Sequence, residues 1–339
     1  MIGSVASALR PVLAGLAIAA LAQGGPAAAE AYWMGLRGDK WNDGIKNGVS
    51  NWYSEPSLAG TAQKVPDDTA IFANGALNSS IVIWEDAEIQ RIRFEALAPV
   101  FTLSVDPTVT FEITKFGVAN QSNNTHFFAV AANGKVLFRG KSRIVGAGGG
   151  VRSLNFQNAG TLMFSDKAKG GDAIVNNTDG SLLFNGKASA EGMAITNQKG
   201  VVAFGEESTG GGARIINQEG VVAFNLKESG KFTIGSLLNS DTMGFDGDAS
   251  VSETFVQSAS GKLVIACSKT VPTIKINGTA KLDGELLLTV QKKTKAGKYT
   301  LIKAGTIEGK FKKLKVEDGD LKGSLAYSEK AVVLTLVPK

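Results

Sequence analysis

Histidine and cysteine are almost missing from the chain. It has one of each in 339 residues, His126 and Cys267, and only 8 prolines. A single cysteine excludes an internal disulfide framework and a zinc–thiolate site. A single histidine excludes a multi-histidine metal centre and leaves His126 as the sole histidine base. No Walker loop, dinucleotide fingerprint or serine nucleophile elbow is present. Apolar residues nowhere recur at the helical i, i+3, i+4 spacing. Glycine, by contrast, is abundant at 41 residues, without the three-residue period of collagen, and 43% of the chain is hydrophobic, too much for intrinsic disorder. That is material for one elongated domain or two compact ones.

Positions 1–29 read as a secretory signal. Arg10 ends a weakly basic start, Pro11 to Ala22 is almost wholly apolar, and Ala27-Ala28-Ala29 is a small-residue cleavage site. The apolar run is too short for a permanent span, and no later run reaches the length of a membrane helix. A lone Cys267 suits an oxidising compartment, and within Leu263-Val264-Ile265-Ala266-Cys267 it reads as a small buried hydrophobe.

Charge is uneven. From Lys262 onward 16 lysines face 7 acids, +9, so the remainder sums to −4 within a net +5. Such a segment suits an acidic polysaccharide, lipopolysaccharide phosphates or an anionic membrane. The lysines alternate with apolar residues in Lys310-Phe311-Lys312-Lys313-Leu314-Lys315-Val316, however, and the plainer reading is the solvated face of strands, with lysine discouraging edge pairing.

A twenty-residue period dominates the middle. Gly160, Gly180, Gly200 and Gly220 are evenly spaced by it, as are Phe164, Phe184, Phe204 and Phe224. Leu162, Leu182, Val202 and Val222 lie between them, and Ala173-x-Val175-x-Asn177, Met193-x-Ile195-x-Asn197 and Ala213-x-Ile215-x-Asn217 precede the glycines. Leu154-x-Phe156-x-Asn158 repeats the text with one turn residue fewer. Apolar spacing of two is the strand period, so each unit holds a strand, an Asn/Gly turn, a second strand and room for one short segment. Such a unit cannot bury its inner face alone, but stacked units can. The expected fold is therefore all-β, a parallel β-helix of about 20 residues per coil, capped at both ends, with coils at the strand spacing of about 4.8 Å. The phenylalanines form an aromatic ladder and Asn177, Asn197 and Asn217 an amide ladder, which satisfies groups costly to bury singly. Glycine is expected to supply a positive φ after the asparagine. Outward charges alternate in register, Asp179/Lys199/Glu219 and Lys187/Glu207/Lys227.

The motif recurs as Phe128-x-Val130 with Gly134-x-Val136-x-Phe138, and as Phe255-x-Gln257 with Gly261-x-Leu263-x-Ile265. At that period the chain makes roughly fifteen coils, a rod of about 70 Å. The four tryptophans, Trp33, Trp41, Trp52 and Trp84, place an N-terminal cap in the first quarter, and Ile274 to Leu288 and Tyr299 to Leu336 read as hairpins closing the other end.

Trp41 with Asn51-Trp52, Pro66-Asp67-Asp68-x-Ala70-x-Phe72, Phe116-Gly117-Val118-Ala119-Asn120-Gln121-Ser122, the repeated Asn-x-x-Gly-x-x-x-Phe and Gly297-Lys298-Tyr299-Thr300-Leu301-Ile302 with Gly309-Lys310-Phe311 together resemble the passenger region of bacterial autotransporters. The resemblance spans most of Trp33 to Leu336. It implies a right-handed parallel β-helix exported by a Gram-negative-type cell, with a final segment that helps the helix fold. The organisation expected is signal peptide 1–29, N-terminal cap and irregular coils 30–115, repeat region 116–265, and an autochaperone-like end 266–339. Passengers usually continue into an outer-membrane barrel, and no such strands follow before Val337-Pro338-Lys339. A periplasmic location, a separate exporter and a shortened relative are the alternatives expected.

Candidate chemistry is thin. Arg37-Gly38-Asp39 is an adhesive tripeptide that also suits an ordinary turn. Asp246-Gly247-Asp248 and Asp318-Gly319-Asp320 begin as calcium loops do but lack the later acidic ligand, which favours polar turns. Glycoside hydrolysis needs two facing carboxyl groups. Asp166 is followed one period on by Gly186, and Glu206 by Leu226, so no acidic ladder forms. Gly148-Gly149-Gly150 and Gly210-Gly211-Gly212 read as coil corners, and His126 beside Phe127-Phe128 as structural. No catalytic residue, metal ligand or cofactor is assigned. The expectation is an exported β-helix, structural or adhesive, whose partner is a host-cell surface or extracellular polysaccharide, with no nucleic acid and no transmembrane segment. The alternatives are a carbohydrate-active enzyme or glycan binder, and a passenger remnant without a specific partner.

Overall fold

Stacked strands of period two build the architecture. The computed structural model describes residues 30–146, 154–226, 232–317 and 319–339. The signal segment, Gly148-Gly149-Gly150, Lys227 and Asp318 lie outside the described residues. Strands wind into a parallel β-solenoid of about 10 turns, with coils about 23 residues apart. That is fewer turns than the fifteen expected, or about 50 Å of stacking at the strand spacing. Two causes are visible. Only the middle coils keep the regular step, Ser181↔Val201↔Val221, whereas Lys135↔Thr161 and Glu285↔Lys313 are longer steps. The chain ends also go into antiparallel caps.

Each middle coil contributes one strand to each of two long sheets, for example Ile174–Asn177 and Ser181–Phe184. A third, shorter side is marked by the parallel bridges Arg143↔Lys169↔Ser189↔Thr209. Register is one-to-one. Phe164 pairs with Phe184, Phe184 with Phe204, and Phe204 with Phe224. The aromatic ladder therefore exists and is longer than the repeat. From Phe138 through Phe164, Phe184, Phe204 and Phe224 to Phe245, successive centroids lie 4.7, 5.2, 4.5, 5.5 and 4.4 Å apart with rings within 16° of parallel. The amide ladder likewise extends at both ends. Nδ2 of Asn158, Asn177, Asn197, Asn217 and Asn239 donates to the side-chain oxygen of the next rung at 2.7–2.9 Å, ending on Gln257 Oε1.

The turn glycines have a different cause from the one expected. Among Gly160, Gly180, Gly200 and Gly220, only Gly220 has a positive φ, 96°. A Cβ on Gly180, Gly200 or Gly220 would overlap the carbonyl oxygen of the glycine one coil before. Close stacking of coils, and not turn chirality, fixes glycine at 180 and 200, and both act together at Gly220. The left-handed positions form another column, Gly140 (65°), Asp166 (58°), Gly186 (64°) and Glu206 (60°). In it each acidic side chain reaches the preceding coil's glycine amide, Asp166 Oδ2 to Gly140 N and Glu206 Oε2 to Gly186 N, both 2.9 Å.

At the N-terminal end Trp52–Tyr53 runs antiparallel to Glu30–Trp33 and covers the first sheet's edge. Trp33, Trp41 and Trp52 are buried and packed edge-on, with Trp33–Trp52 and Trp41–Trp52 centroids 5.1 and 4.8 Å apart. Trp84 is not part of this cap. It is 41% exposed beneath Lys40 Nζ at 5.4 Å from the ring. Ile274 to Leu288 is not a hairpin either, because Ile274–Leu282 and Glu285–Val290 each join a different sheet in parallel. The closing antiparallel unit is Gly297–Gly309 with Ala331–Pro338 and Leu321–Tyr327.

Candidate functional site

In the first coil, Arg37-Gly38-Asp39 leads into the rung that closes the second sheet. Asp39 O accepts from Val82 N at 2.7 Å, and Trp41 N donates to Val82 O at 2.9 Å. The Arg37 guanidinium donates to Gly44 O at 2.5 Å and stands 4.0 Å from Asp43, while its amide donates to Asn51 Oδ1 at 2.6 Å. A receptor requiring a free arginine would have to strip these bonds.

The aspartate turns are similarly engaged. Asp248 Oδ1 accepts the Thr273 amide at 2.7 Å. Asp320 O accepts the Lys339 amide at 2.8 Å, and Gly319 O accepts its Nζ at 2.6 Å. Among the described residues no group of three histidine, cysteine or acidic side chains could hold a metal ion.

His126 is buried with its ring stacked on Phe94, centroids 3.7 Å apart. Its Nδ1 accepts the Phe101 amide at 3.2 Å, which places the proton on Nε2, 2.9 Å from Ser122 Oγ. Ser122 Oγ then accepts from His126 and from the Asn124 amide (3.1 Å), and donates to Asn120 Oδ1 (2.8 Å). Nucleophile activation needs the opposite polarity, with histidine accepting the serine proton. Burial pushes the His126 pKa down to about 4, so the ring is neutral above that range. This serine–histidine pair escaped the sequence reading because Ser122 lies in an irregular loop and Phe94 comes from the preceding coil. Cys267 is fully buried and its thiol is pushed up to about 12 by desolvation.

Acids in register do occur, outside the regular period. Glu88 and Glu112 are Cα partners on neighbouring strands. Arg139 on the following coil closes on Glu112 Oε2 at 3.3 Å. Glu191 is bracketed by Lys169 at 3.0 Å and Arg143 at 3.2 Å, a three-charge bridge across coils. Of the alternating surface pairs expected, Lys187–Glu207 forms at 3.1 Å. Asp179, Lys199 and Glu219 make no ion pair among the described residues.

Two surface features went unread in the sequence. The outer side of the first sheet carries a small apolar cluster, Leu183, Ala203 and Ala223, exposed by 4% or less and flanked by Met163, Val201 and Val221. Phe116 is 44% exposed, with the Arg91 guanidinium 4.3 Å and Lys115 Nζ 5.0 Å from its ring. In the C-terminal strands several alternating lysines do pair as expected of solvated faces: Lys312 with Asp283 (3.0 Å), Lys313 with Glu285 (3.4 Å) and Lys281 with Glu308 (3.2 Å).

The class defined by these features is a parallel β-solenoid with ladder-stacked Phe and Asn. No family model, curated protein or solved structure matches the chain. No helix of the described residues is long and apolar enough to cross a membrane.

Proposed function

We propose that the protein is an exported β-helix, similar to an autotransporter passenger, that works by surface binding as a structural or adhesive rod and not by catalysis. The observation that carries this reading is the assignment of the chemically distinctive side chains to structure. His126, Ser122 and Asp248 are each satisfied by neighbouring strands or loops, and Asn158 to Asn239 bond one another inside the rod. Outward positions recur every coil, which multiplies weak contacts along one axis. Export rests on the signal-like residues 1–29. The test is fractionation of expressing cells with antibody to the mature chain, combined with binding of the purified protein to host cells and a glycan panel. Recovery from the cytosol with residues 1–29 intact would overturn the export reading, and hydrolysis of any panel glycan would overturn the non-catalytic one.

A carbohydrate-active enzyme is the second reading, favoured by one observation, the in-register carboxylates Glu88 and Glu112. Retaining glycosidases hold two carboxyls about 5–5.5 Å apart. Glu88→Gln abolishing a measured hydrolysis would select this reading.

A further inference from the structure

The C-terminal excess of lysine separates into two populations. Strand lysines such as Lys281, Lys312 and Lys313 face carboxylates on adjoining coils. Six others do not. Lys269 lies in the loop before Ile274–Leu282, and Lys292, Lys293 and Lys295 lie in the loop before Gly297–Gly309. The two loops are bonded to each other: Gln291 N donates to Cys267 O at 3.0 Å, and Thr294 Oγ1 donates to Cys267 O at 3.1 Å and also to Ser268 O. Beside them Lys275 and Lys303 are Cα partners on neighbouring strands, and Thr273 Oγ1 ties the same two coils through Thr300 O at 2.8 Å. All six lysines are exposed, and none forms an ion pair among the described residues. Asp248, on the coil before, is engaged with the Thr273 amide, and on the coil after, Glu317 is the Cα partner of Thr289 and Gly319 lies against Val290, so an acidic turn borders the band at its Lys292 end.

From this juxtaposition we infer that the C-terminal coils carry a binding band for a linear acidic polysaccharide, one that bears a carboxylate or sulfate on successive sugars. The inference deepens the surface-binding reading and depends on it only in requiring that the rod act through its outer face. Like charges held on two stacked coils repel one another and favour any ligand that neutralises them together. Stacking places Lys275 above Lys303 at about 4.8 Å along the axis, which suits a chain with repeated charge better than one point anion. A lipid surface fits less well. Of the large exposed hydrophobics among the described residues, all but Val337 fall at 45–145, and Val337, whose neighbour Leu336 pairs with Gly297, brings a single aliphatic side chain to the 291–296 loop, too little apolar surface for a lipid anchor.

The test is binding of the full purified chain to polygalacturonate, with dextran as the neutral polymer and phosphatidylglycerol vesicles as the lipid arm, at low and physiological ionic strength. Polygalacturonate binding that weakens with salt is expected, and dextran should not bind. The quadruple K269S/K292S/K293S/K295S should lose at least about tenfold in affinity, and K275T/K303T, which alters no loop, should lose several-fold. A charge-matched control, K46S/K141S/K167S/K199S, should stay within about twofold of wild type. Equal loss in the control, undiminished binding by both band variants, or binding to vesicles without binding to polygalacturonate would each overturn the inference. Failure of polygalacturonate binding at low salt would overturn it too, and leaves the host-cell and fractionation results to decide the broader reading separately.

Discussion

Removing one rung of the amide ladder tests the stacking physics directly. Asn197 is buried, accepts from Asn177 Nδ2 at 2.8 Å, and donates to Asn217 Oδ1 at 2.8 Å and Gly200 O at 3.0 Å. Asn197→Ala deletes both rung-to-rung bonds, at about 1 kcal/mol each, and leaves Asn217 Oδ1 buried without its donor, at about 1–3 kcal/mol. Asn177 Nδ2 keeps Gly180 O at 3.0 Å and so adds little. The expected loss is about 3–5 kcal/mol. With an m-value of about 3 kcal/mol/M, this lowers the urea midpoint by about 1–1.7 M. Two probes should be followed. Far-UV circular dichroism reports the whole rod, whereas tryptophan fluorescence reports the N-terminal coils that hold Trp33, Trp41 and Trp52. A rod that melts as one unit shifts both signals together, and one that opens at the broken rung separates them. Asn176→Ala is the control. Asn176 is half-buried and meets Asn155 Oδ1 at only 3.4 Å, so its substitution should cost no more than about 0.5 kcal/mol. Equal midpoints for Asn197→Ala and Asn176→Ala would refute the ladder as a stabilising element.

The remaining expectations concern other parts of the rod. Phe204→Ala removes the ring between Phe184 and Phe224 and should destabilise by about 3–5 kcal/mol in the same denaturation assay, with Phe204→Leu costing clearly less. His126 has a folded pKa near 4 against an ordinary 6.5, so the unfolded chain binds the extra proton first. Stability present above pH 6.5 therefore falls as pH drops to 4, by up to about 3 kcal/mol; His126→Gln should flatten that slope in midpoint-against-pH curves, and an unchanged slope would rule out the group. Cys267 should resist alkylation at pH 8 in the folded protein and react on unfolding, as mass spectrometry would show.

The rod was legible wherever identical coils stack, since a fixed period is all that stacking requires. Phe164 to Phe224 and Asn177 to Asn217 announced both ladders. Of their continuations, Phe138, Asn158 and Gln257 stand in motif copies that slip off the period, whereas Phe245 and Asn239 needed the register itself. Glycine at 180 and 200 looked like turn chemistry, because a sequence cannot distinguish a positive φ from a carbonyl lying against the α-carbon. Proximity in sequence groups Trp84 with the cap, yet it follows Ser80–Ile83 as an outward residue. Charge pairs across coils were half legible: Lys187–Glu207 obeys the period, while Glu88 and Glu112, partners across a longer step, do not.

Regularity and chemical individuality are placed in opposite parts of this molecule. Within 154–224 each coil repeats the last, so a core side chain meets its own equivalent above and below, and the unlike groups brought together are surface ion pairs such as Lys187–Glu207 and Lys169–Glu191. A site needs several unlike groups together, and the coils have room for those where the step lengthens. Lys262↔Glu285 and Glu285↔Lys313 are both longer steps than Ser181↔Val201, and they contain the loops that carry Lys269 and Lys292 to Lys295. At the other end, the similarly long Thr102↔Phe127 step makes room for the loop where Ser122 meets His126. Added residues in one coil cannot enter a core already filled by ring-on-ring packing, so they must emerge as loops on the outside. Function in this rod is therefore expected at the irregular coils flanking the repeat. Shortening the 291–296 loop should alter ligand binding far more than it alters the denaturation midpoint, and the converse result would assign that loop to stability alone.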